Sequence, residues 1–204
     1  MDLGLAPYRE CVELQRETLE SVSRGAEDVL ILVEHHPVIT LGANFHVENL
    51  LKPVEELEQR GISVDRTERG GDVTYHGPGQ LVAYPIFDLH RRGRDLHRWL
   101  RDLEGAVIST LRAFDLDGRR FPPHTGVWIE DRKICAMGIK VRRWTSMHGL
   151  ALNCNTDLCP FSLIVPCGIR GYGVTSISKE LDRSVTLCEV KPHLVRSFEE
   201  LVRS

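Results

Sequence analysis

A chain of 204 residues, 42% hydrophobic and 27% charged, can bury a proper core and has the composition of an ordinary globular protein. Its net charge of −3 leaves no basic field for nucleic acid, no apolar run approaches the roughly 20 residues of a membrane span, and Met1–Tyr8 lacks the basic leader and apolar core of a targeting segment. Six cysteines (Cys11, Cys135, Cys154, Cys159, Cys167 and Cys188) without a CxxC pair favour reduced thiols in a cytosol over a disulfide framework or a zinc site, so the expected location is cytoplasmic.

Tyr8, Val12, Gln15, Leu19 and Val22 fall on one stripe at helical spacing, which predicts an amphipathic helix over 8–23. The continuous β-branched run 29–33 reads as a buried strand and 38–41 as a second, with His35-His36-Pro37 as turn residues between them. Neighbouring residues on an extended chain point to opposite faces, so the paired histidines do not make a metal site. Residues 53–61 suit a short surface helix, 62–67 alternate as a half-buried strand, and 81–87 read as a strand whose Pro85 belongs at an edge or bulge. Leu96, Leu100, Leu103, Val107, Leu111 and Phe114 predict a helix over 96–114. Residues 126–129 and 133–139 form a hairpin around Glu130-Asp131-Arg132, 140–144 continues it as a basic extended segment, and 149–153 is a further strand. Thr186 followed three residues later by Glu189 is a capping-box pattern opening a last helix lined by Val190, Leu194, Phe198 and Leu201. Strands interleaved with a few helices, without repeat or linker, predict an α/β (α+β) fold: a single domain, 1–204, with a mixed β-sheet and packed helices.

The densest chemistry lies at Arg69-Gly70-Gly71-Asp72-Val73-Thr74-Tyr75-His76-Gly77-Pro78-Gly79-Gln80. It lacks the Gly-Lys-Ser/Thr ending of a P-loop and its glycines do not spell GxGxxG, so a dinucleotide site is not indicated. Two thiols compete as nucleophile. Cys167 is held in a turn by Pro166 and Gly168; Cys135 shares a strand face with Lys133, and a neighbouring cation favours thiolate. Lys133, His76 and His148 are candidate acid–base groups, whereas Cys11 and Cys188 fit as small buried hydrophobes in helices. Two basic runs, Arg91-Arg92-Gly93-Arg94 and Lys140 with Arg142 and Arg143, are candidate docking patches for an acidic carrier.

The motifs 69–80, Lys133-Ile-Cys-Ala-Met-Gly-Ile139, His148-Gly-Leu-Ala-Leu-Asn153 and Pro166-Cys-Gly168 stand in the order seen in octanoyltransferases, and the chain resembles that family over nearly its whole length. The resemblance implies a biotin/lipoate protein ligase-like fold and transfer of an octanoyl group from octanoyl-acyl carrier protein to a lysine of lipoyl domains, through an enzyme acyl-thioester. The implied acceptors are lipoyl domains of 2-oxoacid dehydrogenases and the glycine cleavage H protein. The implied enzyme is a cytoplasmic monomer without cofactor or metal, acting without membrane or nucleic acid. It implies Cys167 as the acylated nucleophile and Lys133 as its partner. Arg69, Gly70, Gly71, Asp72, Val73, Thr74, Tyr75 and His76, with Ala136, Met137, Gly138, Gly149, Leu150 and Ala151, match the segments that line its substrate pocket. An octanoyl chain calls for a largely apolar tunnel, with Gly70, Gly71, Gly138 and Gly149 letting backbone lie against it. After Thr40-Leu41-Gly42 the family often carries a basic residue, whereas this chain has Ala43-Asn44. The competing readings are an ATP-dependent lipoate-protein ligase, which needs no thiol, and a non-catalytic scaffold for lipoyl domains.

Overall fold

The structure is a computed structural model and describes residues 1–168 and 171–203, Cys167 by its backbone alone. In chain order the elements are β1 (Asp2–Ala6), α1 (Tyr8–Ser23), β2 (Val29–His35), β3 (Val38–Leu41), α2 (Val54–Gln59), β4 (Ser63–Arg66), β5 (Val73–His76), β6 (Gln80–Ile86), α3 (Leu96–Arg112), β7 (Arg119–Phe121), β8 (His124–Ile129), β9 (Arg132–Arg142), β10 (Thr145–Asn153), β11 (Gly173–Val174), α4 (Ile177–Glu180) and α5 (Leu187–Arg203). The expected strands and helices are all present; β1, β5, β7, β11 and α4, each of five residues or fewer, are too short to show a period in the sequence and are added by the structure.

A mixed sheet runs β1-β2-β6-β10-β9-β8-β7, and β11 joins it beside β9; β4-β3-β5 form a smaller sheet. Alternation along β6 decides the layering. Leu81 and Ala83 face a core shared with Trp99, Leu103, Val107 and Leu111 of α3 and Val190, Leu194 and Phe198 of α5. Val82 and Tyr84 face Cys11, Leu19 and Val22 of α1 on the other side. Each fully buried aliphatic side chain in these two layers contributes roughly 1.5–3 kcal/mol. A third core under the small sheet collects Ile39, Val73, Tyr75 and Phe161. Helix α3 is capped by Asp95, whose carboxylate accepts from the His97 and Arg98 amides. The capping box of α5 forms as expected, the Thr186 amide donating to Glu189 and the Glu189 amide to Thr186 Oγ1.

Several expectations are corrected. His35 is no turn residue: it ends β2 fully buried, donating from Nδ1 to the Ala6 carbonyl and bonded through Nε2 to the Tyr84 hydroxyl, while His36 is exposed. Pro85 sits in a central strand. Its missing N–H is harmless because the β10 ladder stops at the Leu150–Ala83 pair, and the Ser146 hydroxyl bridges the gap by donating to the Pro85 carbonyl and accepting from the Phe87 amide. Cys188 is exposed. Arg92 is not a solvated docking charge, since its guanidinium lies over the rings of Phe87 and Trp99 at 5.3 and 5.7 Å and donates to the Leu201 carbonyl. In the second basic run Lys140 pairs with Glu68, and Arg142 and Arg143 share Glu20, so much of that run's charge is already neutralised within the chain.

Candidate active site

Lys133 sits where β9 changes neighbours. The β10 ladder ends at the Leu152–Cys135 pair, and beyond it β11 pairs with Arg132 and Lys133. On the other side the β8 register advances one residue, from Val127 to Trp128, while β9 passes from Cys135 to Lys133. This bulge sets Lys133 against Trp128. The lysine is buried, at 6% exposure, with Nζ 4.9 Å from the Trp128 ring centroid. Among the described residues it has no carboxylate partner. An exposed hairpin charge is therefore not what the fold makes of it. Cys135, the rival thiol, lies at 0% exposure in the α3/α5 core, and burial drives its pKa far up, outweighing the Lys133 charge. That environment suits a packing residue and not a nucleophile.

The Cys167 thiol lies outside the described residues; its backbone belongs to a short 3₁₀ turn, Pro166–Gly168. The turn is tied down from both sides: the Val165 amide donates to the Asn49 carbonyl, and the Gly168 amide to the Val165 carbonyl. Gly168 has φ +68, which favours glycine, and a Cβ there would come within 3.1 Å of Asp72 Oδ2 and 3.2 Å of Asn49 Nδ2, a tight fit. Asp72, itself buried, accepts from Asn49 Nδ2 at 2.6 Å and from His46 through both its amide and Nδ1. The aspartate of the glycine-rich stretch thus braces the cysteine turn instead of lining a ligand pocket.

Between β9, β10 and the 69–76 segment lies a pocket with about 400 Å³ of empty space, its open mouth included. Of the expected lining residues, Arg69, Thr74, His76, Ala136, Met137, Gly138, Gly149, Leu150 and Ala151 are on its wall. Val73 and Tyr75 are not: strand alternation turns them into the third core, where Tyr75 meets the Phe161 ring edge-on. Gly70 and Gly71 are not on the wall either: Gly70 is half-buried and Gly71 exposed. Nor do the glycines clear space for a ligand as expected. A Cβ on Gly138 would stand 2.6 Å from the Gly70 carbonyl oxygen, and one on Gly149 2.2 Å from that of Ala83, so the protein's own backbone fills those places. Gly138→Ala is expected to destabilise the fold by about 1–3 kcal/mol, visible as a lower urea midpoint, because the Arg69–Asp72 loop must be pushed off β9.

Three lining residues were missed in the sequence. Val82 and Tyr84 share a face of β6, a relation the alternation contains, but nothing local says which face meets the pocket. Tyr8 passed as one more apolar position of the α1 stripe, though its hydroxyl donates to Thr67 Oγ1 and its ring stacks on His76 with centroids 6.1 Å apart. The lining surface is largely apolar, as an acyl site calls for, with Val82, Met137, Leu150 and the rings of Tyr8 and Tyr84 on the wall, and Arg69, Thr74, His76 and His148 add polar groups beside them.

Burial keeps these polar rings neutral. His76 and His148 are each lowered to about 3, by burial first; His35 and Arg69 add to the effect at His76, and Arg69 at His148. His35 behind them is lowered to about 4 by burial, and Tyr84 is pushed well above its usual value for the same reason. Arg69 donates from Nη2 to the Thr40 carbonyl at 2.7 Å and from Nη1 to that of Gly70 at 3.1 Å, which fixes its charge against backbone. The histidines set the acid stability. The unfolded chain protonates them near pH 6.5, whereas the folded protein resists until about pH 4 to 3, so stability falls as pH drops through that window. Three groups give a limiting slope of about 4 kcal/mol per pH unit. Denaturant titrations between pH 7 and 4 should show a steep loss that becomes shallower by one proton in His35→Gln; a flat profile refutes the assignment.

A family model described as the lipoyl protein ligase A/B catalytic domain matches residues 7–199. The chain belongs to this family. It is 50% identical to an octanoyltransferase of Rubrobacter xylanophilus over 202 residues, 98% of this chain and 90% of that protein. It is 49% identical to one of Nitratidesulfovibrio vulgaris (strain DP4) over 199 residues, 97% and 91% of the two chains. The crystal structure of lipoate-protein ligase A bound with ATP matches with a TM-score of 0.79 at 22% identity, covering 98% of this chain and 83% of that one. At that identity the likeness establishes the fold alone, and it bears out the ligase-like α/β architecture expected from the motifs.

Proposed function

We propose that this chain is an octanoyltransferase of protein lipoylation: it moves an octanoyl group from the thioester of an acyl carrier protein to a lysine of a lipoyl domain. The observation that carries this is the near-50% identity to octanoyltransferases over almost the full chain. A pocket of acyl-chain size bounded by strands β9 and β10 supports it. In this reading the Cys167 thiolate attacks the donor carbonyl carbon, the donor thioester bond breaks, and the carrier sulfur leaves as a thiol with a proton from the Lys133 ammonium, which leaves Lys133 neutral. Thioester is exchanged for thioester, so activation is conserved and no nucleotide is consumed. The neutral amine of the acceptor lysine then attacks the acyl-cysteine, the amide forms, and Lys133 takes the amine proton while the thiolate departs. The acceptors are lipoyl domains, including that of the glycine cleavage H protein, and the setting is cytoplasmic; among the described residues no helix is long and apolar enough to cross a membrane.

The test is intact-protein mass spectrometry after incubation with octanoyl-acyl carrier protein, followed by addition of a lipoyl domain. An octanoyl adduct that maps to Cys167, forms without ATP and passes to the lipoyl-domain lysine is the expected result. Transfer that requires free octanoate and ATP identifies a ligase instead, and absence of both adduct and transfer leaves only a scaffold.

A further inference from the structure

A line of buried polar side chains crosses the molecule from the acyl pocket to the lysine strand, and the reaction as described uses none of its middle members. His76 Nδ1 is bonded to Gln80 Oε1 at 2.8 Å; Gln80 Nε2 donates to Asn153 Oδ1 at 2.9 Å and to the Tyr75 carbonyl at 3.2 Å. Asn153 Nδ2 donates to the Thr175 carbonyl at 2.9 Å, and the Thr175 amide donates to the Lys133 carbonyl at 3.0 Å. Gln80, Asn153 and Thr175 are 1%, 4% and 0% exposed.

The direction of every bond follows from two backbone carbonyls, which only accept. The Thr175 carbonyl requires the Asn153 nitrogen, which turns the Asn153 oxygen to Gln80. The Tyr75 carbonyl requires the Gln80 nitrogen, which turns the Gln80 oxygen to His76. His76 must then donate from Nδ1, and its Nε2 keeps a lone pair. That nitrogen meets Thr40 Oγ1 at 3.5 Å, a hydroxyl that already accepts from Arg69 and has its proton left to give. All the donors run the same way from the Arg69 guanidinium, so the bonds polarise one another.

We infer that Gln80 and Asn153 are positioning residues of the transfer reaction: they hold His76 as the Nδ1–H tautomer in the pocket wall and tie that wall to the strand carrying Lys133. The kinetic part rests on the proposed function; the tautomer does not. The test uses the full chain labelled with ¹⁵N-histidine, with the His76 signals identified by their loss in His76→Gln. The expected spectrum is a neutral ring with its proton on Nδ1 from pH 5 to 8. A proton on Nε2, or an imidazolium in that range, overturns the inference. Asn153→Asp keeps the shape but cannot donate to Thr175. It is expected to lower kcat at least tenfold with KM for the octanoyl donor within twofold, and unchanged kcat overturns the positioning role. Should that variant fail to fold, the tautomer in the unaltered protein still decides. Should the unaltered protein transfer no octanoyl group, the functional reading falls while the spectrum continues to test the relay.

Discussion

Cys167→Ala is expected to abolish the octanoyl adduct and to lower transfer by about 10⁴-fold or more, the scale on which covalent acyl transfer depends on its nucleophile. Cys135→Ala is the control the structure supplies. Cys135 is fully buried among apolar side chains with its thiol held protonated, so losing it removes one sulfur atom from the core. That costs about 1 kcal/mol of stability and leaves transfer within tenfold. Lys133→Arg separates the half-reactions. A guanidinium keeps a positive charge but cannot give up a proton in a protein. Adduct formation should therefore persist in part while passage of the acyl group to the lipoyl-domain amine stops, measured by single-turnover transfer from the pre-acylated enzyme. An adduct on Cys135, or full turnover by Cys167→Ala, ends the thioester mechanism proposed here.

The second large effect is on chain length. His148 lines the acyl pocket and also a second cavity walled by Val12, Arg16, Arg66, Glu68 and Met147, so its ring is the partition between them. Its backbone has φ +58, where glycine is at ease and a histidine is strained. The one hydrogen bond the residue makes to α1 is from its backbone amide to Gln15 Oε1 at 2.8 Å, which glycine retains, and the ring Nε2 has no partner among the described residues. His148→Gly therefore removes the partition at little cost to the fold. Each methylene that enters is worth roughly 0.8 kcal/mol where the surroundings are apolar. The cavity beyond is charged, so the gain should be smaller: an increase on the order of tenfold in the dodecanoyl-to-octanoyl ratio of kcat/KM. A folded variant with the ratio of the unaltered protein would show that the acyl chain does not reach His148.

The relation between chain and fold differs from element to element. The helix at 8–23 and the long one beginning at Leu96 were legible because a stripe of apolar side chains at helical spacing has one way to be buried. The hairpin around Glu130 was equally plain, its strands meeting at the Ile129–Arg132 pair. Motif order carried the lining at 136–138 and 149–151, which β9 and β10 bring side by side with Gly138 opposite Gly149. Other features have no local signature. Whether a residue faces pocket or core depends on what packs against each face, so nothing local turns Val73 and Tyr75 away from the pocket or Tyr8, Val82 and Tyr84 toward it. His35 looked like a turn residue until a tyrosine far along the chain met it. Spacing puts Cys135 and Lys133 on one face of a strand; a bulge and the handover from β10 to β11 put one in the core and the other against Trp128. The glycines of 69–79 announce close backbone approach, and close approach is what they make, but to β9 at Gly70 and to the Asn155–Thr156 backbone at Gly79 instead of to a ligand. The sequence by itself determined the elements and which residue types could react, because those depend on periodicity and side-chain chemistry. Only the tertiary structure decided which of them are buried, neutral or brought together, because burial and electrostatics depend on neighbours distant in the chain.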